Sequence, residues 1–205
     1  MNILAIGAHP DDIEFGCGGT LIKYARAGHN VDLFIATDGS FGGEPGTRRK
    51  EQQESAKSMG AREVFWGDFI DTEVTSSRQL IWKIDGVVQK VKPDIVFLNY
   101  HEDIHQDHRG VALAAISATR YVHEVLFFEV PTTYNFDPAT FVDIEDVLDK
   151  KLHLLELHNS QIDKTRVRNL TILESAKSCA TFRGFQGRVK YAEGFRSLRV
   201  LRKIS

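Results

Sequence analysis

An α/β fold, a three-layer Rossmann-like sandwich with a mostly parallel central sheet, is what this sequence predicts, on three observations. Short apolar runs rich in branched residues alternate along the chain with segments of helical period, the pattern of strands joined by crossover helices. Those runs are continuous instead of alternating apolar with polar, as strands covered on both faces are. The helical segments end on glycine or on a Lys-Pro pair, residues that stop helices.

The first strand is expected at Ile3 to Ala8, followed by a helix from about Gly18 to Ala27 that Gly28 closes. Val31 to Ala36 reads as the second strand, and a helix from about Thr47 to Met59 ends on Gly60. Glu63 to Trp66 is the third strand. The clearest helix comes next: Ser76 or Ser77 caps it, Leu80, Ile84, Val87, Val88 and Val91 form one stripe, and Lys92-Pro93 ends it. Ile95 to Asn99 is the fourth strand, a helix begins near His108 and carries Val111, Ala112, Ala115, Ile116 and Thr119, and Val125 to Val130 is the fifth strand. Beyond Pro131 the pattern weakens to a loop, a helix over Ile144 to His158, another over Thr165 to Ser178, and a last strand at Leu198 to Leu201.

With 205 residues, 42% of them apolar, the chain can bury one good core. No repeat, linker or low-complexity segment divides it, so residues 1–205 are expected to form a single domain. The formal net charge of -2 gives no reason to expect nucleic acid or an anionic membrane as a partner, since both favour a concentrated basic surface. The basic stretch from Arg196 to Lys203 is equally well explained by strand alternation. Cys17 and Cys179 are too few for a disulfide framework and show no CxxC spacing, which favours a reducing compartment. The start of the chain has no basic leader and no segment has the roughly 20 apolar residues of a membrane span, so a cytoplasmic protein without stable membrane insertion is expected. The apolar and aromatic residues of Val125 to Val130 and Tyr134 to Phe141 are candidates for a homo-oligomer interface.

Ligands of open parallel sheets bind beyond the carboxyl ends of the strands, near the point where strand order reverses. Two clusters of ligand-type residues follow such ends. His9-Pro10-Asp11-Asp12 comes directly after the first strand, with Glu14 and Gly16-Cys17-Gly18-Gly19-Thr20 behind it. His101-Glu102-Asp103-Ile104-His105-Gln106-Asp107-His108 comes directly after the fourth. If the loops converge, two imidazoles and one carboxylate leave a metal position open to water, and zinc suits that set, lowering the pKa of water to roughly 7. The doubled Asp11-Asp12 then offers one ligand and one general base. An Asp-Asp pair standing alone would read as a helix cap, and three histidines in a polar loop as solvated side chains. It is their combination that points to a metal site. The glycine run lacks the spacing of dinucleotide and phosphate loops, so its expected task is close backbone approach and tight packing of helix on strand. Cys17 reads as a packing residue, and His29, His123 and His153 as ordinary ones.

These motifs resemble the PIG-L/LmbE-like family of metal-dependent de-N-acetylases. The resemblance is carried by Ala8-His9-Pro10-Asp11-Asp12 with Gly18-Gly19-Thr20, and by His105-Gln106-Asp107-His108-Arg109 opening a helix. Thr37-Asp38-Gly39, Arg48 with Glu51 and Gly60, His158-Asn159-Ser160-Gln161, Arg183-Gly184 and Ala192-Glu193-Gly194-Phe195 agree with it. It implies a hydrolase that removes the acetyl group from an N-acetylglucosamine-type conjugate and releases acetate. It further implies zinc held by His9, Asp12 and His108, with Asp11 as general base. His105 would polarise or protonate the reacting group, Asp107 would orient a histidine, and Arg48 would hold sugar hydroxyls or an acidic group, with a weaker expectation of the same kind for Asp71. Where some members carry a tyrosine two residues before the first histidine of HxDH, this chain has Asp103; Tyr100 or Tyr134 are the candidates to replace it.

Other readings use the same residues. A related hydrolase would cleave another small amide or N-acyl group on the same metal. A facial triad of non-haem iron also uses two histidines and a carboxylate, although its usual setting is a β-barrel with HxD spacing. A non-catalytic Rossmann-like module would bind a nucleotide without metal.

Overall fold

The computed structural model of the chain describes residues 1–202. Seven strands form one sheet in the order β3-β2-β1-β4-β5-β7-β6. β1 (Asn2–Gly7), β2 (Asn30–Thr37), β3 (Glu63–Phe69), β4 (Ile95–Asn99) and β5 (Glu124–Phe128) run parallel. β7 (Ala192–Val200) pairs antiparallel with β5 and with β6 (Thr140–Asp143). The parallel order reverses between β1 and β4, which are direct neighbours.

Alternate residues of the same strand feed two separate cores. Ile3 and Ala5 of β1 pack in the core with Ile13, Leu21, Met59, Leu154 and Ala176, which belong to α1 (Asp12–Arg26), α2 (Pro45–Met59), α5 (Leu148–Glu156) and α6 (Ile172–Gly187). Leu4 and Ile6 pack in the other core with Leu80, Ile84, Val111 and Ala115, from α3 (Arg78–Val91) and α4 (Gln106–Ala118). Two covered faces are the physical reason the central strands are apolar throughout. Ser77 caps α3, accepting from the Leu80 amide at 3.3 Å, and Leu80, Ile84, Val87 and Val91 form its buried stripe. Each such buried aliphatic side chain contributes about 1.5–3 kcal/mol.

Several elements differ from the sequence expectation. α1 begins at Asp12 instead of Gly18, so the glycine run lies inside the helix. Helix propensity argues against three glycines there, but contact wins: a Cβ at Gly16 would lie 2.1 Å from Phe128 Cδ2, and one at Gly19 would lie 2.9 Å from Ile144 Cγ2. The glycines serve the packing of helix on strand, as expected, but do not face the strand-end loops as an anion cradle would. A buried ion pair holds the same stretch. Lys151 Nζ donates to Glu193 at 2.5 Å and to the carbonyls of Glu14 and Phe15. Glu193 accepts from the amides of Gly19 (2.8 Å) and Thr20 (2.7 Å) and from the Thr20 hydroxyl (2.6 Å). The Phe15 carbonyl and Gly19 amide, which form one rung of a regular helix, are thus both bound by the pair.

α6 starts at Ile172, seven residues beyond the expected Thr165, and runs to Gly187. Its start is set by a capping box between Thr171 and Glu174. The segment read as one helix from Ile144 is a 3-10 turn at Glu145–Val147 followed by α5. β6 was not expected, and β7 begins at Ala192, six residues before the expected Leu198; the end of the basic stretch at Lys203 lies outside the described residues. The interface assignment for Val125 to Val130 is overturned: Val125, Leu126, Phe127 and Phe128 are buried in β5 between β4 and β7. Among the described residues no helix is long and apolar enough to cross a membrane.

Gly16→Ala tests the close approach of α1 to β5. In an open helix the change would stabilise by about 1 kcal/mol, whereas overpacking against Phe128 is expected to destabilise by roughly 1–3 kcal/mol. Urea unfolding reads the sign, and a stabilised variant would contradict the contact.

Candidate metal centre

The loops after β1 and β4 meet at the reversal point. Asp11 sits between β1 and α1 with φ 96° and ψ -24°, a conformation rare for a residue with a side chain. It lets the chain turn so that the Asp12 carboxylate faces back toward β1. Asp12 Oδ2 accepts from the amides of Ala8 (3.0 Å) and His9 (2.9 Å). Asn99 at the end of β4 accepts from the same Ala8 amide at 3.1 Å and so joins the two strand ends.

His9 Nδ1 and His108 Nε2 lie 3.2 Å apart. Asp12 approaches both, with Oδ1 3.3 Å from His108 Nε2 and Oδ2 3.7 Å from His9 Nδ1. Zinc bonds of about 2.0–2.2 Å at tetrahedral angles place ligand atoms roughly 3.3–3.6 Å apart, so the three approaches are close to that spacing, with His108 and His9 met by different oxygens of Asp12. Two imidazole nitrogens at 3.2 Å need a proton or a cation between them, since two lone pairs repel. His105 belongs to the same group, its donor atom lying within 4.8 Å of those of His9 and His108. Its ring stacks on His108, centroids 4.8 Å apart.

The second nitrogens are held as firmly. His9 Nε2 lies 3.1 Å from both Asp71 Oδ1 and Asp107 Oδ2. These three residues also form a set with metal-ligand spacing, but the carboxylates sit on the nitrogen that faces away from Asp12 and His108. Asp71 and Asp107 therefore orient the ring. Asp107 is fixed in turn by the amides of Thr72 (2.7 Å) and Val74 (3.2 Å), and Asp71 by that of Phe41 (2.8 Å). His108 Nδ1 lies 3.1 Å from Asp103 Oδ1, which makes Asp103 the orienting carboxylate for the second histidine.

The electrostatics follow from this arrangement. Burial lowers the pKa of His108, but Asp12 and Asp103 outweigh it and raise it to about 9. Burial opposes a proton on His9 too, and its bonds to Asp107, Asp12 and Asp71 still raise its pKa well above the ordinary value. The Asp12 carboxyl is pushed up by burial and pulled further down by His108 and His9, ending well below the usual range. Burial raises the pKa of Asp11, with Arg48 and His158 opposing without cancelling it. His105 is lowered by burial and by its cationic neighbours His9 and His108. Its Nδ1 accepts from the Asp107 amide at 3.2 Å, which puts the proton of the neutral ring on Nε2.

The site opens on a cleft of about 480 Å³. His9, Asp11, Asp12, His105 and His108 line it, as does Arg48, whose guanidinium donates to Pro10 O (2.6 Å), Gly39 O (3.0 Å) and Asp11 Oδ2 (3.1 Å). Arg48 belongs to α2, which is tied to α1 where Gln52 (2.7 Å) and Ser55 (2.8 Å) donate to the buried Glu14; His158 lies 3.5 Å from that carboxylate. Neither tyrosine candidate for replacing the missing family tyrosine serves the cleft. Tyr100 is fully buried with its hydroxyl between Arg196 and Glu102, and neither it nor Tyr134 is among the lining residues. Sequence reasoning missed Asp103 as an orienting group and Phe41, Thr132, Gln161, Lys164 and Arg166 as cleft residues. Asp103 and Gln161 do lie in runs the sequence singles out; for Phe41, Thr132, Lys164 and Arg166 the sequence signal is position in loops that follow strand ends or precede α6.

Fold and site together define a Rossmann-like α/β protein with a cluster able to hold a metal ion at the switch point of its sheet. The chain belongs to the PIG-L family: the GlcNAc-PI de-N-acetylase domain matches residues 4–119. The uncharacterized deacetylase YaiS of Escherichia coli (strain K12) is 33% identical, over 77% of this chain and 90% of that protein. The diacetylchitobiose deacetylase of Thermococcus kodakarensis is 31% identical, over 95% of this chain and 82% of its own length. Among solved structures, the N,N'-diacetylchitobiose deacetylase of Pyrococcus horikoshii superposes with a TM-score of 0.85 at 28% identity, over 96% of this chain and 83% of that one.

Metal uptake should release protons. With its pKa raised from 6.5 to about 9, His108 is protonated in the metal-free protein at pH 7.5. The stability that charge supplies is complete below pH 6.5 and is lost as pH rises through about 9. Titrating zinc into metal-free protein in weak buffer is expected to release about one proton or more per ion, with tighter uptake toward pH 9. Uptake without proton release would show that the histidines are neutral beforehand.

Proposed function

We propose that the protein is a zinc-dependent deacetylase that hydrolyses the N-acetyl group of an N-acetylglucosamine-type conjugate and releases acetate. The observation that carries this reading is the convergence of His9, His108 and Asp12 within 3.2–3.7 Å of one another in the cleft that Asp11 also lines. Relatives whose names describe deacetylation of diacetylchitobiose support the acetamide of an amino sugar as the substrate group.

His9, Asp12 and His108 would hold the ion, a donor set of two imidazoles and one carboxylate that suits zinc and leaves room for substrate or water. When bound, zinc supplies a Lewis acid for the amide carbonyl and lowers the pKa of water. Asp11 is the general base. Burial keeps its carboxyl above the ordinary pKa, nearer the range in which a base also returns its proton efficiently. It takes the proton of the attacking water, the water oxygen bonds to the acetamide carbon, and the C–N bond breaks as the amine receives that proton back from Asp11, or one from His105 if that ring is first protonated by passage of the same proton to it. His105 offers its Nε2–H to the carbonyl oxygen as negative charge develops there, the type of fixed donor that contributes most when it is already oriented. Asp107 and Asp71 hold His9, Asp103 holds His108, and Arg48 holds Asp11 while facing the cleft.

Asp11→Ala is expected to lower acetate release from N-acetylglucosamine conjugates by roughly a hundredfold to ten-thousandfold while zinc content stays at the wild-type level. His9→Ala and His108→Ala should lose both metal and activity, and a chelator should abolish wild-type activity until zinc is restored. Full turnover by Asp11→Ala would remove it as the base.

Arg48→Gln separates two roles for that residue. If Arg48 acts by holding Asp11, kcat falls by roughly tenfold or more with a smaller change in KM. A rise in KM at constant kcat would instead assign Arg48 to substrate binding alone.

A further inference from the structure

The acidic side of the cleft has no unused charge. Asp12 is bound by two backbone amides and two histidines, Asp71 by the Phe41 amide and His9, and Asp11 by Arg48. Arg48 is also committed, 4% exposed with its terminal nitrogens on two carbonyls and Asp11. Two other cations line the same cleft, Lys164 and Arg166, both from the loop between α5 and α6. Both are exposed, and among the described residues neither forms an ion pair; Lys164 Nζ donates to the carbonyl of Gly42. The chain as a whole has a net charge of -2, so a basic cleft wall is not a by-product of a basic protein.

The loop that carries them is tied in place. Ser160 donates its amide (2.8 Å) and hydroxyl (2.7 Å) to Glu51 of α2, and Gln161 reaches the Gly42 carbonyl at 3.3 Å. At its far end the Ile172 amide donates to the Ile162 carbonyl at 3.0 Å. Arg166 itself has φ 59°, in the left-handed region that favours glycine. Lys164 also lines a smaller adjoining pocket of about 120 Å³ next to Asp11 and Asp12.

A neutral N-acetyl sugar needs no cation beyond the metal. Two cations that form no ion pair among the described residues and line the same cleft as the metal cluster are complementary to a negative charge on the rest of the substrate. We propose that Lys164 and Arg166 form an anion subsite and that the amino-sugar substrate carries a carboxylate or phosphate substituent that binds there. The proposal rests on the deacetylase reading for the acetamide end of the substrate, but the subsite can be read by binding alone.

The test uses three probes that differ in the charge of the aglycone: methyl N-acetylglucosaminide, N-acetylglucosaminyl glycolate and N-acetylglucosamine 1-phosphate. Acetate release and equilibrium binding by calorimetry are measured for the zinc-loaded wild type, Lys164→Gln, Arg166→Gln and the double variant. At least one anionic probe is expected to exceed the neutral one in kcat/KM and in affinity, with the anionic-to-neutral ratio falling roughly tenfold or more for each cation removed and shrinking in high salt. A loss confined to the phosphate probe assigns the subsite to phosphate, and one confined to the glycolate assigns it to carboxylate. Equal use and equal binding of all three probes by the wild type, or variants that lower all three alike, overturn the subsite. If no probe releases acetate, the deacetylase reading fails for these sugars, and the binding ratios alone decide the subsite.

Discussion

Placing two imidazole nitrogens 3.2 Å apart beside a buried carboxylate is the constraint on which the rest of the structure depends. Left alone, such a group would relax: like lone pairs repel, and burial penalises each charge that would relieve the repulsion. It persists because every outward-facing atom of the group is tied. Asp71 and Asp107 fix one side of His9, Asp103 fixes one side of His108, and two backbone amides fix Asp12. The inward-facing atoms have nowhere else to turn, and that leaves them preorganised for a cation.

The tying atoms come from a wide span of chain. Asp71 follows β3, Asp103 and Asp107 follow β4, and Ala8, His9 and Asp12 follow β1, so the site exists only when the three strand ends are in register. α1 transmits the rest of the fold to this point because Asp12 is its first residue. The glycines of α1 let it sit against Phe128 and Ile144, and the Lys151–Glu193 pair joins it to α5 and β7. A buried ion pair seldom adds net stability over an apolar substitute, but this one binds helical carbonyls and amides at one defined place. We read its effect as fixing the register of α1 against the sheet, and with it the position of Asp12.

How much of this was legible in the sequence depended on whether the information was local. The five parallel strands, the caps of α2 and α3, and the two ligand-bearing loops were readable, since apolar runs, Ser77, Gly60 and the clustered histidines act over a few residues. The start of α1 was not, because only Phe128 and Ile144, more than a hundred residues away, explain why glycines belong inside it. The start of α6 is legible in principle: Thr171 with Glu174 is a capping box in the sequence as well as in the structure, although helical period alone extends back to Thr165. Asp71 reads in the sequence as a weak substrate contact and Asp103 as a departure from a family tyrosine; that both orient histidines is defined by which ring nitrogen they reach.

The same division separates chemistry from selectivity. The groups we propose to hold the ion and move the proton come from residues at strand ends and helix starts, where the sheet fixes them to within the tolerance that catalysis demands. The side chains that meet the remainder of the substrate come from the loop after β2 and the loop between α5 and α6, which meet each other through Gly42, Gln161 and Lys164. Loops can exchange side chains with little effect on the sheet. A common reaction centre with a variable wall follows from that physics, so the proposed acetamide chemistry rests on the sheet, and the proposed selectivity rests on the loop that carries Lys164 and Arg166.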